Sequence, residues 1–181
     1  EKTGKSIGFL FGRLSTIGFD QQLFATVESV THEVVASSEI EGVILNTEEV
    51  RSSVARKLGV MVPNIKEPTH YIDGVVEMML DAVMNYDTPL TSERLFGWHS
   101  ALFPNGRSGV MPIVVGAYRT ASMEVISGMF GRERVHYRAP EAERLAGEME
   151  HFLKWFNNPD VAPSLITSAI AHFWFVCIHP F

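Results

Sequence analysis

The sequence has a single cysteine, Cys177, so no disulfide framework can form within the chain. It has no run of 18 uncharged apolar residues, so nothing reads as a membrane-spanning helix. Basic residues are too few for a nucleic-acid face: 15 Lys and Arg stand against 21 Asp and Glu, a net charge of −6. There is no H-E-x-x-H string and no paired Cys/His spacing, which sets aside the common metallohydrolase signatures. Repeats, low-complexity tracts and a signal-peptide pattern are also missing, and the chain opens at Glu1 and not at a methionine. Cytoplasmic location is the default expectation. At 46% hydrophobic and 20% charged, the 181 residues compose one globular domain with a small N-terminal appendage.

The pattern predicts a mainly α fold. Over residues 19–40, Phe24, Val27, Val30, Val34 and Val35 recur at helical spacing, and Gly42 supplies a stop signal. Thr47 reads as the N-cap of a helix running to Leu58, with Glu48 and Glu49 in its first turn and Gly59 at its end. Residues 60–68 read as a loop and residues 69–86 as a helix. Thr91 caps a helix that the Pro104-Asn105-Gly106 sequence breaks. Two more helices are expected over residues 140–157 and 163–178, each with proline in its first turn. Between them and Asn105 lie five glycines, Gly106, Gly109, Gly116, Gly128 and Gly131, which argue against continuous helix. Two strands are predicted there, residues 123–126 and 134–137, joined through a glycine-containing turn.

The last eleven residues are almost wholly apolar, with His172 their only strongly polar member before the closing His179-Pro180-Phe181. Such a run reads as a core element, with Cys177 as a small buried hydrophobe and His172 as a hydrogen-bonded core histidine. Pro180 pushes His179 out of helical geometry. The imidazole then stands at the mouth of a loop on a rigid support, a suitable place for a general base; a plain helix-terminal residue fits the position equally well. Ser37 and Glu41, four apart, share a helix face. In isolation they read as a capping serine and a solvated glutamate.

Taken together these residues resemble the Fic family. The segment Ile178-His179-Pro180-Phe181 is similar to the opening of its signature, H-P-F-x-[DE]-G-N-G-R-x-x-R. Ser37, Glu41 and Gly42 resemble its inhibitory pattern, [S/T]-x-x-x-E-[G/N]. Gly116-Ala117-Tyr118-Arg119 and the following hairpin resemble its flap. The resemblance runs from about Phe19 to Phe181. It implies a Fic-like helical bundle with a small β-hairpin flap. Residues 1–60 would be an N-terminal helical region carrying the inhibitory motif, and residues 61–181 a Fic-like core incomplete at its C-terminal end.

The activity so implied is transfer of AMP from ATP to a serine, threonine or tyrosine hydroxyl of a target protein, the protein itself included. His179 would be the base and Phe181 an anchor for the loop. The acidic residue that holds Mg²⁺ belongs to signature positions past Phe181, so no metal ligand is expected among the present residues. Met123, Glu124, Val125 and Ile126 would dock the target's backbone as an added strand. Glu41 would pair with the last arginine of the signature, displacing the ATP γ-phosphate, with Ser37 hydrogen-bonded nearby. Self-association is compatible with the resemblance and a membrane partner is not implied. Another Fic-type transfer, removal of AMP, or a non-catalytic interaction domain are the alternatives. The target is not legible in the residues.

Overall fold

The computed structural model of the chain describes residues 18–181 apart from residues 130, 159 and 161–163. The chain divides between Asn85 and Tyr86 into two units. Among the described residues there are six helices and two small antiparallel hairpins, the mainly α architecture expected.

In the first unit, helices α1 (Phe19–Ile40), α2 (Thr47–Leu58) and α3 (His70–Met84) each pack on the other two. Val27, Val30 and Val34 of α1 close on Val50, Val54, Ile72, Val75 and Val76, all buried. Phe24, expected on the same stripe, remains 42% exposed. Helix α1 ends where Gly42 adopts φ 78, with the Gly42 N–H bonded to Glu39 O at 2.9 Å and the Val43 N–H to Ser38 O at 2.8 Å. Glycine reaches this left-handed conformation without a Cβ clash. The N-cap of α2 is Asn46 and not Thr47: its side-chain oxygen accepts from the N–H groups of Glu48 and Glu49 at 3.1 and 3.2 Å. Asparagine thereby satisfies two orphan donors at once. Thr69 caps α3 through the Ile72 N–H.

One polar cluster joins α2 to α3. The Ser53 hydroxyl donates to the Asp73 carboxylate, whose two oxygens also accept from Arg56 Nη2 at 2.7 and 2.6 Å. Burial pushes the Asp73 carboxyl up, but the Ser53 and Arg56 hydrogen bonds and the charges of Arg56 and Lys57 outweigh it, leaving the pKa below its ordinary value. A lowered carboxyl pKa contributes stability above the ordinary value, lost as pH falls through the lowered one. Asp73→Ala should therefore cost about 1–3 kcal/mol at pH 7. Thermal melts of parent and variant should converge below about pH 3.8, and parallel curves down to pH 2 would refute the linkage.

The second unit contains α4 (Ser92–Leu102), the hairpin β1 (Arg107–Ser108) and β2 (Met111–Pro112), and the hairpin β3 (Glu124–Ser127) and β4 (Arg134–Arg138). A 3₁₀ turn (Ala142–Arg144), α5 (Leu145–Phe156) and α6 (Leu165–Ile178) follow. Pro140 lies ahead of the 3₁₀ turn and not inside a helical first turn. Helix α6 starts after Ser164, whose hydroxyl accepts from the Thr167 N–H at 3.0 Å; Pro163 lies outside the described residues. Leu90, Leu95, Leu145, Met149, Phe152, Ala171 and Ile178 form the core. Asn157 ties the end of α5 to the residue ahead of α4, accepting from the Leu90 N–H and donating to the Leu90 carbonyl, both at 2.8 Å.

The apolar run of α6 is buried on one side only. Trp174 and Phe175 meet the Phe152 ring at 5.7 and 5.8 Å, whereas Leu165, Ile166, Ile170, Phe173 and Val176 are exposed. His172, expected in the core, is exposed, and Cys177 is half-buried. A uniformly apolar helix gives periodicity nothing with which to separate its two faces.

Candidate active site

Helix α6 ends with the His179 N–H bonded to Phe175 O at 2.9 Å. His179 then takes φ 48 and ψ 63, a left-handed conformation that costs a non-glycine residue about 1–2 kcal/mol. Pro180 is the local cause: its ring disfavours right-handed helix at His179, and it brings no N–H for the Val176 carbonyl. The half-buried histidine sits between two buried neighbours, Ile178 and Pro180. Beyond them Phe181 stacks on His99, with centroids 4.4 Å apart, and lies 6.1–6.2 Å from Tyr118, Phe96 and Phe175. An imidazole is thus mounted on a turn flanked by buried and stacked neighbours.

Four consecutive carbonyls at this helix end are occupied. The Tyr137 hydroxyl donates to Cys177 O at 2.7 Å. Burial, and next the adjoining Cys177, push that hydroxyl's pKa above its ordinary value, which keeps it a donor. Arg119 donates from Nε to His179 O at 2.7 Å and from Nη2 to Ile178 O at 3.4 Å, and its backbone N–H reaches Pro180 O at 2.8 Å. The same guanidinium donates to Ala121 O and Pro140 O at 2.7 and 2.6 Å. Its neighbour Tyr118 shares a 2.6 Å hydrogen bond with Ser92 on α4.

The residues expected to dock a target lie on the second hairpin. Glu124, Val125 and Ile126 belong to β3, Val125 and Ile126 being exposed; Met123 precedes the strand, and its carbonyl accepts from the Ala139 N–H at 2.9 Å. The β3–β4 pair forms a sheet of its own, so among the described residues one edge of β3 is unpaired. A bulge after Val125 leaves His136 opposite no partner, and Gly128 takes φ 109 in the turn, where a Cβ would lie 2.5 Å from Arg132 O. In the first unit, Ser37 and Glu41 are exposed, Glu41 at the C-cap of α1. The last turn of α1 holds no basic residue, so Glu41 stands at the negative end of the helix dipole without local compensation.

The Fic/DOC family matches residues 89–181, just over half of the chain. The chain belongs to this family. A domain of unknown function (DUF4172) matches residues 1–60. Over 98% of its length this Fic chain is similar, at 24% identity and a TM-score of 0.56, to a Fic family protein from Desulfovibrio desulfuricans G20 with a 2.70 Å crystal structure. It spans 50% of that chain, and the likeness establishes the fold. No curated protein matches. Fic proteins as a class transfer nucleotide-derived groups.

For a divalent cation the residues present do not fit. Among the described residues no group of three or more His, Cys, Asp or Glu is gathered that could ligate one. Among them, too, no helix is long and apolar enough to cross a membrane. Sequence reasoning singled out His179, placed Arg119 in the flap resemblance and Tyr137 in a strand, but gave neither of these two a contact and gave His99 no part. The one available signal was weak: Arg119 has no acidic residue within four positions, so its charge had to be met from elsewhere in the fold.

His99 is buried, and among the described residues its Nδ1 has no partner. Desolvation lowers its pKa from the ordinary histidine value, favouring the neutral form of the ring under Phe181. A lowered histidine pKa contributes stability above the ordinary value, and that stability is lost as pH falls through the lowered one. The parent protein should lose melting temperature between pH 7 and pH 5. His99→Phe, which keeps the ring stack and removes the proton, should flatten that slope. An unaltered slope would place the acid sensitivity elsewhere.

Proposed function

We propose that this Fic protein transfers AMP from ATP to a hydroxyl side chain of a protein, with His179 as general base and Glu41 as an inhibitory carboxylate. The observation that carries this reading is the left-handed His179, half-buried between buried Ile178 and Pro180. An imidazole nitrogen of His179 takes the proton of the serine, threonine or tyrosine hydroxyl. The freed oxygen attacks the α-phosphorus of ATP, the bond to the β-phosphate oxygen breaks, and pyrophosphate leaves. The proton on His179 passes to solvent. Base catalysis of this kind is worth about 10²–10⁴-fold.

The acceptor's backbone adds to the open edge of β3 at Glu124, Val125 and Ile126, which suits varied targets because backbone pairing carries little sequence information. The acceptor can be another copy of this protein. Glu41 holds activity down by pairing with a cationic side chain that the ATP phosphates otherwise engage. Its uncompensated place at the end of α1 supports this role, because a carboxylate there gains more than usual from a cation.

Two substitutions in the full-length protein test the two halves separately. His179→Ala should lower incorporation from α-labelled ATP by at least about 10²-fold with the melting temperature kept. A folded variant that labels at the parent rate would remove His179 from the chemistry. Glu41→Gly should raise incorporation roughly 10- to 100-fold, as expected if a blocked state prevails by about 1.4–2.8 kcal/mol. Glu39→Gly, on the far side of the same helix turn, is the control and should leave the rate as it is. Equal activation by both would mean that helix loosening, and not a carboxylate, is responsible.

A further inference from the structure

We propose that Arg119 and Tyr137 are positioning residues that lock the His179 turn to the β3–β4 hairpin, so that the docking strand and the base move as one body. The proposal rests on His179 as the base. Cys177, Ile178, His179 and Pro180 present their carbonyls in succession, and every one accepts from Tyr137 or from Arg119. Arg119 precedes the hairpin in sequence, and Tyr137 lies within it. Tyr137 belongs to β4 and is the cross-strand partner of Val125 on β3. A backbone added to β3 at Val125 is therefore one strand away from the residue that holds the start of the His179 turn.

Arg119 completes the connection from the hairpin's base. Its Nη1 and Nη2 hold Ala121 O and Pro140 O, the chain entering and leaving the hairpin, while Nε and the backbone N–H hold the turn. One planar fork thus fixes three segments relative to each other. Charge acts in the same direction. The C-terminus of α6 is the negative end of its dipole, and an approaching nucleotide is anionic. Among the described residues no carboxylate pairs with Arg119, so its positive charge is set against those carbonyls alone. A residue that only capped the helix would affect folding. One that sets the place of the imidazole affects turnover at unchanged nucleotide binding.

The experiment uses the full-length protein with Tyr137→Phe, which removes only the donor of an exposed ring, and Arg119→Lys, which keeps the charge and loses the fork. Turnover and KM for ATP are read from α-labelled ATP. The His179 ring signal is followed by NMR on histidine-labelled protein and identified by its loss in His179→Ala. Turnover should fall about 10-fold in Tyr137→Phe and about 10²-fold in Arg119→Lys, with KM for ATP kept within about twofold and the His179 signal shifted. Unchanged turnover with a lowered melting temperature would reduce both residues to helix caps and overturn the proposal. A loss confined to KM for ATP would overturn it as well. Should Arg119→Lys fail to fold, Tyr137→Phe decides alone. If His179→Ala remains active, the base assignment fails, and the position of the His179 signal in Tyr137→Phe still tests the lock by itself: unchanged, it overturns it.

Discussion

A cation at the wrong end of nothing would be a liability in a half-buried place; Arg119 is instead set against the negative end of α6, and the second unit is organised around that match. The left-handed His179 costs about 1–2 kcal/mol, and the carbonyls left over at any helix C-terminus cost more if they go unmet. A hydrogen bond to a charged group contributes roughly 1.5–3 kcal/mol. Arg119 makes at least three short ones from its side chain, to His179 O, Ala121 O and Pro140 O. The balance therefore favours the strained turn. Four carbonyls met in sequence over-determine a conformation that Pro180 alone would leave open.

Around this polar centre the apolar packing serves to set directions. Tyr118 carries the segment ahead of Arg119 against α4, through its bond to Ser92 and an edge contact with Phe96 at 4.8 Å. Phe181 fastens the other side of the turn by stacking on His99. His179 is thus placed by neighbours on both sides, one group aromatic and one polar, while its own side chain is spent on neither. The buried His99 below it is committed to packing against Phe181.

Local chemistry made much of the fold legible. Helix ends were marked by Gly42, Gly59 and Thr91, and the second hairpin by β-rich residues around Gly128. Pro180 was enough to take His179 out of the helix. What escaped were interactions over long separations. Arg119 and His179 are 60 residues apart, Tyr137 and Cys177 40. No spacing rule connects such pairs, because the fold and not the period brings them together. The exposed His172 escaped for another reason: in a run that is apolar all round, burial is decided by which helices arrive, and the sequence of α6 does not encode that. Asn46 displaced Thr47 as N-cap because two adjacent residues of capping type compete, and only geometry separates them.

The string that ends α1 has to be divided between two causes. Gly42 follows from the backbone: φ 78 with the Gly42-to-Glu39 and Val43-to-Ser38 bonds demands a residue without a Cβ, whatever the helix does next. The cap geometry by itself accounts for a glycine at position 42. Glu41 differs, because nothing in the cap asks for a carboxylate and the helix dipole opposes one. A lysine or arginine would stabilise that position; glutamate weakens it. Glu41 is exposed, and the last turn of α1 offers no basic residue to meet it. A test of the proposed inhibition therefore belongs at Glu41, where a change leaves the cap glycine and its backbone turn in place.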